Sequence, residues 1–287
     1  MNGLKTIRLA AVLALGLAAA HADERDALDA FKYDPAKMDV GTCYTYQLGN
    51  QAGTKTMQIY VYVKSEDTLL VYKDYSTIAP MVFDVEVRFD WSRMMFGEEY
   101  GLNPFWEFRM PNTNHESIGV WNWDKKRLPI TMTTFDSKGR EKSRAMVIEA
   151  NLFPTFDFSL YHVDLQFALR HFVGDAGPWT IGGFYAGYYI ESELKRVRQE
   201  MKDGHLCEVY ELRGLGFLGW VMNIKQRIWV DKNDPYRRVI RYENDMKISP
   251  FDSVLLTLKE YKHMSLDEWH KMVEAFNKDA AGRLGLE

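Results

Sequence analysis

Cysteine is scarce in this chain: only Cys43 and Cys207 occur in 287 residues. Two isolated cysteines exclude a disulfide-dense scaffold, and the absence of any Cys-x-x-Cys pair removes the usual zinc and redox motifs. Both cysteines lie in segments with strand-like composition, GTCYTYQL and HLCEVYELR. In an oxidising compartment the pair is predicted to form one disulfide between an early and a late strand, with two separate buried thiols as the alternative.

Basic charge is also lacking, since the formal net charge is −4. Proteins that bind nucleic acid need a basic face, so nucleic acid is not an expected partner. No HExxH, Gly-x-Ser-x-Gly or Ser-x-x-Lys motif occurs, and the histidines form no metal-ligand cluster. The sequence therefore predicts no metal and no cofactor, and its motifs favour a protein that is not an enzyme.

The N-terminus has the three parts of a secretory signal peptide. Lys5 and Arg8 precede an uninterrupted apolar run at residues 9–20, and the small residues Ala20 and Ala22 follow at a cleavage site. The apolar run is too short for a membrane anchor, which needs about 20 residues. Cleavage is expected after Ala22, and no cysteine stands there for lipid attachment. We expect a mature chain of residues 23–287 in the periplasm or secreted, without a transmembrane segment.

Alternation of apolar and polar residues dominates the chain after residue 40. Residues 56–64 and 82–91 show a period of two, which is typical of strands with one buried face. Asp203-Gly204 and residues 232–235 read as short turns between antiparallel neighbours. The predicted fold is mainly β, a large curved antiparallel sheet of half-barrel or barrel-like form. A sandwich is the alternative, and one domain is expected over residues 23–287.

Helices are predicted to be few. Residues 158–173 are compatible with one, and a short N-terminal helix or arm is possible over residues 23–38. The clearest signal is Ser265-Leu266-Asp267-Glu268, a capping-box pattern that predicts a C-terminal helix.

A Gly-x-Gly-x-x-Gly motif occurs at Gly214, Gly216 and Gly219. A dinucleotide site would also require a helix to begin at the glycines, whereas the residues that follow, WVMNIKQRIWVD, read as a strand. We therefore expect an apolar hairpin tip instead, either tucked into the core or exposed as a lid or membrane-touching loop.

Aromatic residues make up 14% of the chain, and eight of them are tryptophan. Aromatic side chains line clefts for apolar ligands, but they also fill β cores. The candidate ligand-binding residues are Phe89, Trp91, Trp106, Trp121, Trp123, Phe217 and Trp220. A second candidate group, the carboxylates Asp84, Glu86 and Asp90, has a spacing that glycosidases use, although a solvated strand face explains it as well.

The C-terminal half contains DGHLCEVYELRG, then KQRIWVDKNDPYRRVIRYEN, then SVLLTLKEYK. This order resembles the last hairpins of periplasmic lipoprotein-localisation-type half-barrel proteins and their uncharacterised relatives. The matching residues are Trp229, Val230, Asp231, Pro235, Arg237 and Arg238. The resemblance implies a curved antiparallel sheet that holds acyl chains, with helices as a lid. The additional aromatic loops and the C-terminal helix depart from those proteins.

Three functions are compatible with these observations. The first is an exported carrier that binds a lipid or another hydrophobic small molecule in an aromatic-lined sheet. The second is an exported hydrolase of envelope glycan or lipid, which would need two carboxylates, or a serine and a histidine, to converge. The third is a non-catalytic envelope protein with a protein partner.

Overall fold

The structure is a computed structural model. It describes residues 30, 32–50, 52–77, 82–90, 95–100, 116–117, 127–135, 141–149, 155–157, 163–172, 177–185, 188–221, 224–245 and 253–284. Candidate residues Trp91, Trp106, Trp121 and Trp123, together with the signal-peptide segment, lie outside these ranges.

The described residues form fifteen strands and three α-helices. The strands are β1 (Thr42–Gly49), β2 (Thr56–Ser65), β3 (Thr68–Asp74), β4 (Val82–Asp90), β5 (Met95–Tyr100), β6 (Glu116–Ser117), β7 (Arg127–Phe135), β8 (Glu141–Glu149), β9 (Thr155–Asp157), β10 (Trp179–Tyr185), β11 (Tyr188–Lys202), β12 (His205–Gly214), β13 (Lys225–Asp231), β14 (Val239–Asn244) and β15 (Val254–His263). The helices are α1 (Val163–Ala168), α2 (Gly216–Val221) and α3 (Leu266–Leu284), with 3-10 turns at Pro35–Met38 and Leu169–His171.

Thirteen strands belong to one sheet, in the order β6-β5-β4-β3-β2-β1-β15-β14-β13-β12-β11-β10-β9, and β7 and β8 form a separate pair. Neighbours are antiparallel throughout, except that β9 runs parallel to β10. The sheet is not closed by hydrogen bonds, but its edges approach each other, since β9 lies against β5. The mainly β, antiparallel fold predicted from the sequence is confirmed.

Turn residues explain why several of these strands pair with the next strand in the sequence. Asp203 and Gly204 both have positive φ, 50° and 85°, which is the geometry of a tight turn between antiparallel strands. They join β11 to β12, as predicted. Between β13 and β14, Asp234 accepts a hydrogen bond from the Tyr236 backbone at 2.7 Å and fixes the second turn.

One face of the sheet holds the main apolar core. Met57, Ile59, Val61 and Val63, the predicted apolar phase of β2, are all buried there, together with residues from β1, β3 and β10–β15. Helix α1 lies on the same face: the Phe167 ring is 5.9 Å from that of Tyr44 on β1. Just beyond the 3-10 turn that follows, Phe172 is 5.0 Å from Trp179 on β10.

These two contacts require a curved sheet. Strands β1 and β10 are six positions apart, which in a flat sheet would be about 29 Å. Helix α1 and its 3-10 turn could not reach both strands at that distance. The sheet therefore curves around the helix, and we call the face that carries α1 the concave face.

Helix α3 packs on the opposite, convex face. Trp269, Val273 and Ala280 are buried against Tyr62, Leu70 and Tyr72, and the Trp269 and Tyr62 rings stack at 5.6 Å. The helix begins as predicted: the Glu268 carboxylate accepts from the Ser265 backbone N–H at 2.7 Å, and Ser265 Oγ accepts from the Glu268 N–H at 3.3 Å. This reciprocal pair is a capping box.

The predicted disulfide between Cys43 and Cys207 is not formed. Both thiols are free and buried. Cys43 lies on β1 and Cys207 on β12, four strands apart in the sheet order, and the two side chains belong to separate apolar clusters. Three strands therefore lie between the two cysteines, which explains why they do not pair.

Among the described residues, no helix is both long and apolar enough to cross a membrane.

Candidate functional site

The curved sheet has two ends with different contents. One end carries the β11–β12 and β13–β14 turns and the 3-10 turn Pro35–Met38, and we call it the plugged end. The other carries helix α2, between β12 and β13, and we call it the tip end. The two ends differ in polarity and in how their polar groups are satisfied.

A buried arginine links two elements at the plugged end. Arg170 is only 2% exposed, and its guanidinium donates to the Lys37 carbonyl at 3.0 Å and the Met38 carbonyl at 3.3 Å. The same guanidinium lies 4.1 Å from the centre of the Phe167 ring, within cation–π range. It therefore ties helix α1 to the 3-10 turn that precedes β1.

A second buried cation, Arg238, binds two carboxylates. Its guanidinium donates to Asp39 at 2.7 Å and also to Asp234, and it lies 3.8 Å from the ring centre of Tyr261. Asp39 further accepts from the Tyr44 hydroxyl at 2.6 Å. Burial alone would raise the pKa of Asp39, but the hydrogen bonds from Tyr44 and Arg238 outweigh it and lower the pKa below its usual value.

The neighbouring Arg237 joins strand β12 to the residue that follows the 3-10 turn Leu169–His171. It donates to the Phe172 carbonyl at 2.9 Å, to Glu208 at 2.9 Å and to the Tyr210 hydroxyl at 2.6 Å. Glu208 also accepts from Arg196 at 2.6 Å. Arg237 and Arg238, which the sequence singled out through a family resemblance, therefore both bind carboxylates of the protein itself, although the Arg238 Nε has no partner. These contacts give them a role in closing this end of the fold.

His171 is buried at the plugged end as a neutral side chain. It is 0% exposed, and its Nδ1 accepts a hydrogen bond from the Asp34 backbone N–H at 3.2 Å. Burial, together with the charges of Arg170 and Lys37, lowers the pKa of His171 to about 3. The imidazole is thus unprotonated at neutral pH.

The buried polar groups of the concave face near the tip end are uncharged, and two of them, Ser192 and Gln226, have an atom without a partner. Ser192, Gln226 and Asn244 are each no more than 2% exposed. Gln226 lies directly opposite Asn244, and Ser192 lies opposite Gly214, next to the start of the tip. Ser192 Oγ and Gln226 Oε1 have no hydrogen-bond partner. A buried acceptor or hydroxyl left unpaired costs roughly 1–3 kcal/mol.

A third such residue comes from helix α1. Gln166 is 2% exposed, and neither its amide nitrogen nor its amide oxygen has a partner. The concave face thus holds three buried polar side chains, Gln166, Ser192 and Gln226, with both donor and acceptor capacity unused. They are surrounded by the apolar core, and we call them the unpaired polar set.

Sequence reasoning missed this set. The available signal was the phase of the strands: Gln226 alternates with Ile228 and Val230, and Ser192 alternates with Leu194. Each is therefore a polar residue on the face that is otherwise apolar.

The Gly-rich motif forms the tip itself. Where a hairpin tip without a helix was predicted, a short helix, α2, begins at Gly216, and β13 follows after its six residues. A Cβ at Gly219 would lie 2.3 Å from the Gly214 carbonyl carbon, so these two glycines are needed for close backbone contact.

The tip exposes apolar side chains. Phe217 is 75% exposed, Val221 55% and Leu215 36%. Of the two alternatives from the sequence, the exposed one is correct for these residues. The candidate Phe217 therefore lies outside the core, and Trp220 lies in the same helix α2. The candidate Phe89 lies on β4, opposite Phe96 on β5.

The carboxylates of β4 whose side chains the structure describes, Asp84 and Glu86, have different surroundings. Glu86 is bound by Lys64 at 2.8 Å. Asp84 is half-buried beside helix α3. Burial raises the pKa of Asp84 above its usual value, and the charge of His270 offsets part of this rise. Asp90 ends the strand, opposite Met95.

A cleft of about 370 Å³ lies between the convex face and the end of helix α3. Its lining includes Gln47, Gln58, Tyr60, Asp74, Asp279 and Arg283. The two carboxylates both bind the Arg283 guanidinium. Since both are committed to one cation, neither is placed to donate a proton to a substrate, so the arrangement does not favour hydrolysis.

Within the described ranges, no group of three or more His, Cys, Asp or Glu side chains is placed to hold a metal ion. No protein-family model matches the chain, and no curated protein sequence matches it. The concave face, with its apolar lining and unpaired polar set, is the candidate functional site.

Proposed function

We propose that this protein is an exported carrier that binds a lipid or a similar amphiphilic molecule against the concave face of its sheet. The observation that carries the proposal is the unpaired polar set, Gln166, Ser192 and Gln226, buried within an otherwise apolar lining. Buried polar groups in folded proteins nearly always have partners, so three without one point to an absent partner molecule.

The chemistry of the set indicates the ligand's polar group. Gln166 offers both an N–H donor and a carbonyl acceptor, Ser192 a hydroxyl, and Gln226 an acceptor. None of the three carries a charge. A neutral group that both donates and accepts, such as a hydroxyl, an amide or a glyceride head, satisfies such a set without the desolvation cost of an ion.

The apolar lining suits the rest of such a molecule. Apolar surface moved out of water gains about 25 cal/mol per Å². Side chains from β1, β2, β3 and β10–β15 contribute to one buried apolar cluster. The cations of the plugged end are already paired with Asp39, Asp234 and Glu208, so that end offers no free charge for an anionic head.

Substitution of the polar set by apolar side chains of similar size tests the proposal. We expect Gln226→Met and Ser192→Ala to raise the stability of the ligand-free protein by about 1 kcal/mol each, because an unpaired buried group is removed. The same variants should lose about tenfold in ligand affinity, because the ligand's polar group loses its partner. Urea unfolding and native mass spectrometry of the purified protein measure the two effects.

A binding site predicts that these variants gain stability and lose ligand affinity, whereas a hydrated core predicts a change in stability alone. If ordered water satisfies Gln226 and Ser192 in the natural protein, the variants will change stability but not ligand occupancy. Tyr210→Phe is a matched control at the plugged end, where the hydroxyl already binds Arg237. It should lower stability and leave ligand binding unchanged. A natural protein that copurifies with no lipid and binds none contradicts the proposal.

A further inference from the structure

We infer that the cleft beneath the end of helix α3 binds a sugar ring that carries no net charge. The cleft lies on the convex side of the sheet, so the inference goes beyond ligand binding on the concave face and does not require it. It rests on the size of the cleft, on its aromatic and amide side chains, and on the pairing of its charges.

Strands and helix hold the cleft in shape. Strands β1 and β2 contribute Gln47 and Gln58, which lie directly opposite each other. The end of α3 is tied to β3 by Arg283, which binds Asp74 and donates to Ser76 Oγ at 2.9 Å. The volume of about 370 Å³ lies near the lower limit of about 300 Å³ for small-molecule sites. A preformed cleft of this size suits a compact ligand, because little conformational entropy is lost on binding.

Aromatic rings form part of the lining. Tyr60 on β2 and Phe276 on α3 are half-buried, and their ring centres are 4.6 Å apart. Tyr72 on β3 lies next to them, with its ring centre 5.6 Å from that of Phe276. The face of an aromatic ring is apolar and slightly negative. The C–H bonds of a sugar ring form an apolar, slightly positive face, so the two surfaces pack favourably.

Two glutamines supply hydrogen-bonding groups. Gln47 is half-buried, and its amide has no hydrogen-bond partner in the described part of the chain. The Tyr60 hydroxyl donates to Gln58 Oε1, which leaves the N–H donors of the Gln58 amide available to a ligand. Each hydroxyl of a sugar both donates and accepts, so neighbouring hydroxyls match amides that do the same.

The charges of the lining are paired with one another. Its two carboxylates both bind its one guanidinium. Charges of both signs surround the cleft: Glu260 acts electrostatically on Tyr60, and the exposed Lys55 and Lys278 adjoin lining residues in the sequence. A charged ligand therefore meets no uncommitted opposite charge among the described lining residues. The bound carboxylates still have lone pairs that accept from hydroxyl groups.

A sugar ring fits this combination better than other small ligands. An organic cation would pack on the aromatic rings, but it would leave the donors of Gln47 and Gln58 unpaired. An anion would need a free cation, and an acyl chain would leave all the polar groups unpaired. A ligand with an apolar face and a rim of hydroxyl groups satisfies both parts of the lining.

An amide NMR titration tests the inference. The probes are the methyl glycosides of glucose, galactose, mannose and N-acetylglucosamine. We expect at least one to bind with a Kd of about 1 mM, as is usual for a ligand of about a dozen non-hydrogen atoms. Binding should shift the side-chain amide signals of Gln47 and Gln58.

Variants locate the site. Gln47→Ala and Gln58→Ala should each weaken binding about fivefold, because each removes a hydrogen bond to the sugar. Gln58 is exposed, so its replacement leaves the core intact. Phe276→Leu should weaken binding because it removes an aromatic ring. Gln199→Ala is the matched control, since Gln199 is an exposed glutamine on β11 that accepts from Lys232 at 3.2 Å. It should bind the glycoside as the natural protein does.

Control ligands complete the test. Sorbitol has hydroxyl groups but no ring, and we expect no comparable shift with it. The inference is wrong if none of the four glycosides causes a shift at about 20 mM, if both glutamine variants bind normally, or if tetramethylammonium binds and the glycosides do not. Gln226→Met, on the concave face, should bind the glycosides as the natural protein does, so this inference and the proposed carrier function fail separately.

Discussion

At the scale of single residues, the plugged end buries charged side chains that bind opposite charges. The concave face near the tip end instead buries uncharged polar side chains with unpaired atoms. The side chains of Arg238 and Asp39 are 8% and 11% exposed and bind each other and further groups. Buried ions of this kind contribute little beyond what apolar side chains would, but removing one partner is costly.

This cost leads to a prediction for Arg238. Arg238→Met leaves Asp39 and Asp234 without their common cation, and we expect a loss of about 3–5 kcal/mol in the free energy of unfolding. Arg198→Met is the control, because Arg198 and Glu200 pair on the surface with 42% and 35% exposure. It should cost less than about 1 kcal/mol. Equal losses in urea unfolding would contradict the assignment of Arg238 as the buried anchor.

A second residue-scale prediction concerns pH and His171. Its pKa is about 3 in the folded protein and about 6.5 when unfolded. Above pH 6.5 both states are neutral and pH has no effect through this group. Below that value the unfolded state binds the proton first, so stability falls as the pH decreases. Between pH 6.5 and pH 5 the loss should be about 2 kcal/mol.

The variant His171→Asn tests this sign, because its Oδ1 can still accept from the Asp34 N–H while the group no longer titrates. We expect the variant to be less stable at neutral pH and to show a smaller decrease in stability towards pH 5. Unfolding in urea at several pH values measures the difference. Parallel curves for the variant and the natural protein would show that His171 is not the group responsible.

At the scale of elements, the C-terminal helix depends on its first turn. Ser265 and Glu268 satisfy each other's backbone N–H groups. Ser265→Ala should cost about 1 kcal/mol, whereas Glu274→Ala, an exposed change in the middle of α3, should have an effect within about 0.5 kcal/mol. Amide exchange at the start of α3 should quicken in the first variant only. Unchanged exchange there would contradict a role for the capping box.

Elements are also the scale at which the sequence was most informative. The period of two in residues 56–64 and 82–91, the turn at Asp203-Gly204 and the capping box at Ser265 all depend on neighbours within a few residues. The structure has strands at Thr56–Ser65 and Val82–Asp90, and the turn and the capping box are confirmed. Within the 158–173 segment proposed as a helix, Val163–Ala168 is α-helical and Leu169–His171 is a 3-10 turn. Helix α2 was not predicted, because six apolar residues between two strands have no helical period to detect.

At the scale of the whole molecule, the sequence was less informative, because pairing between distant strands leaves no local pattern. The error over Cys43 and Cys207 has this origin: each lies in a correctly predicted strand, but the distance between the strands follows from a sheet order that the sequence does not reveal. The unpaired polar set has the same origin, because Gln226 and Ser192 become unusual only when the curved sheet buries them.

The position of the cysteines gives a prediction at this scale. Burial raises the pKa of Cys43 to about 12 and that of Cys207 to about 11. We expect neither thiol to react with a thiol reagent in the folded protein and both to react after unfolding. A reductant should leave the unfolding midpoint unchanged. A peptide that links Cys43 to Cys207 in a non-reducing digest would contradict the sheet order.

The sheet order also determines when the fold can be completed. Strand β1 pairs with β15, so that Thr42 lies opposite His263, and these central strands are the first and last of the chain. Until β15 is available, β1 has one open edge, and Tyr44, Tyr46 and Leu48 lack the far side of their core. Contacts of such long sequence separation form slowly. A chain that emerges from its N-terminus therefore cannot complete the centre of its sheet until its final strand has been delivered.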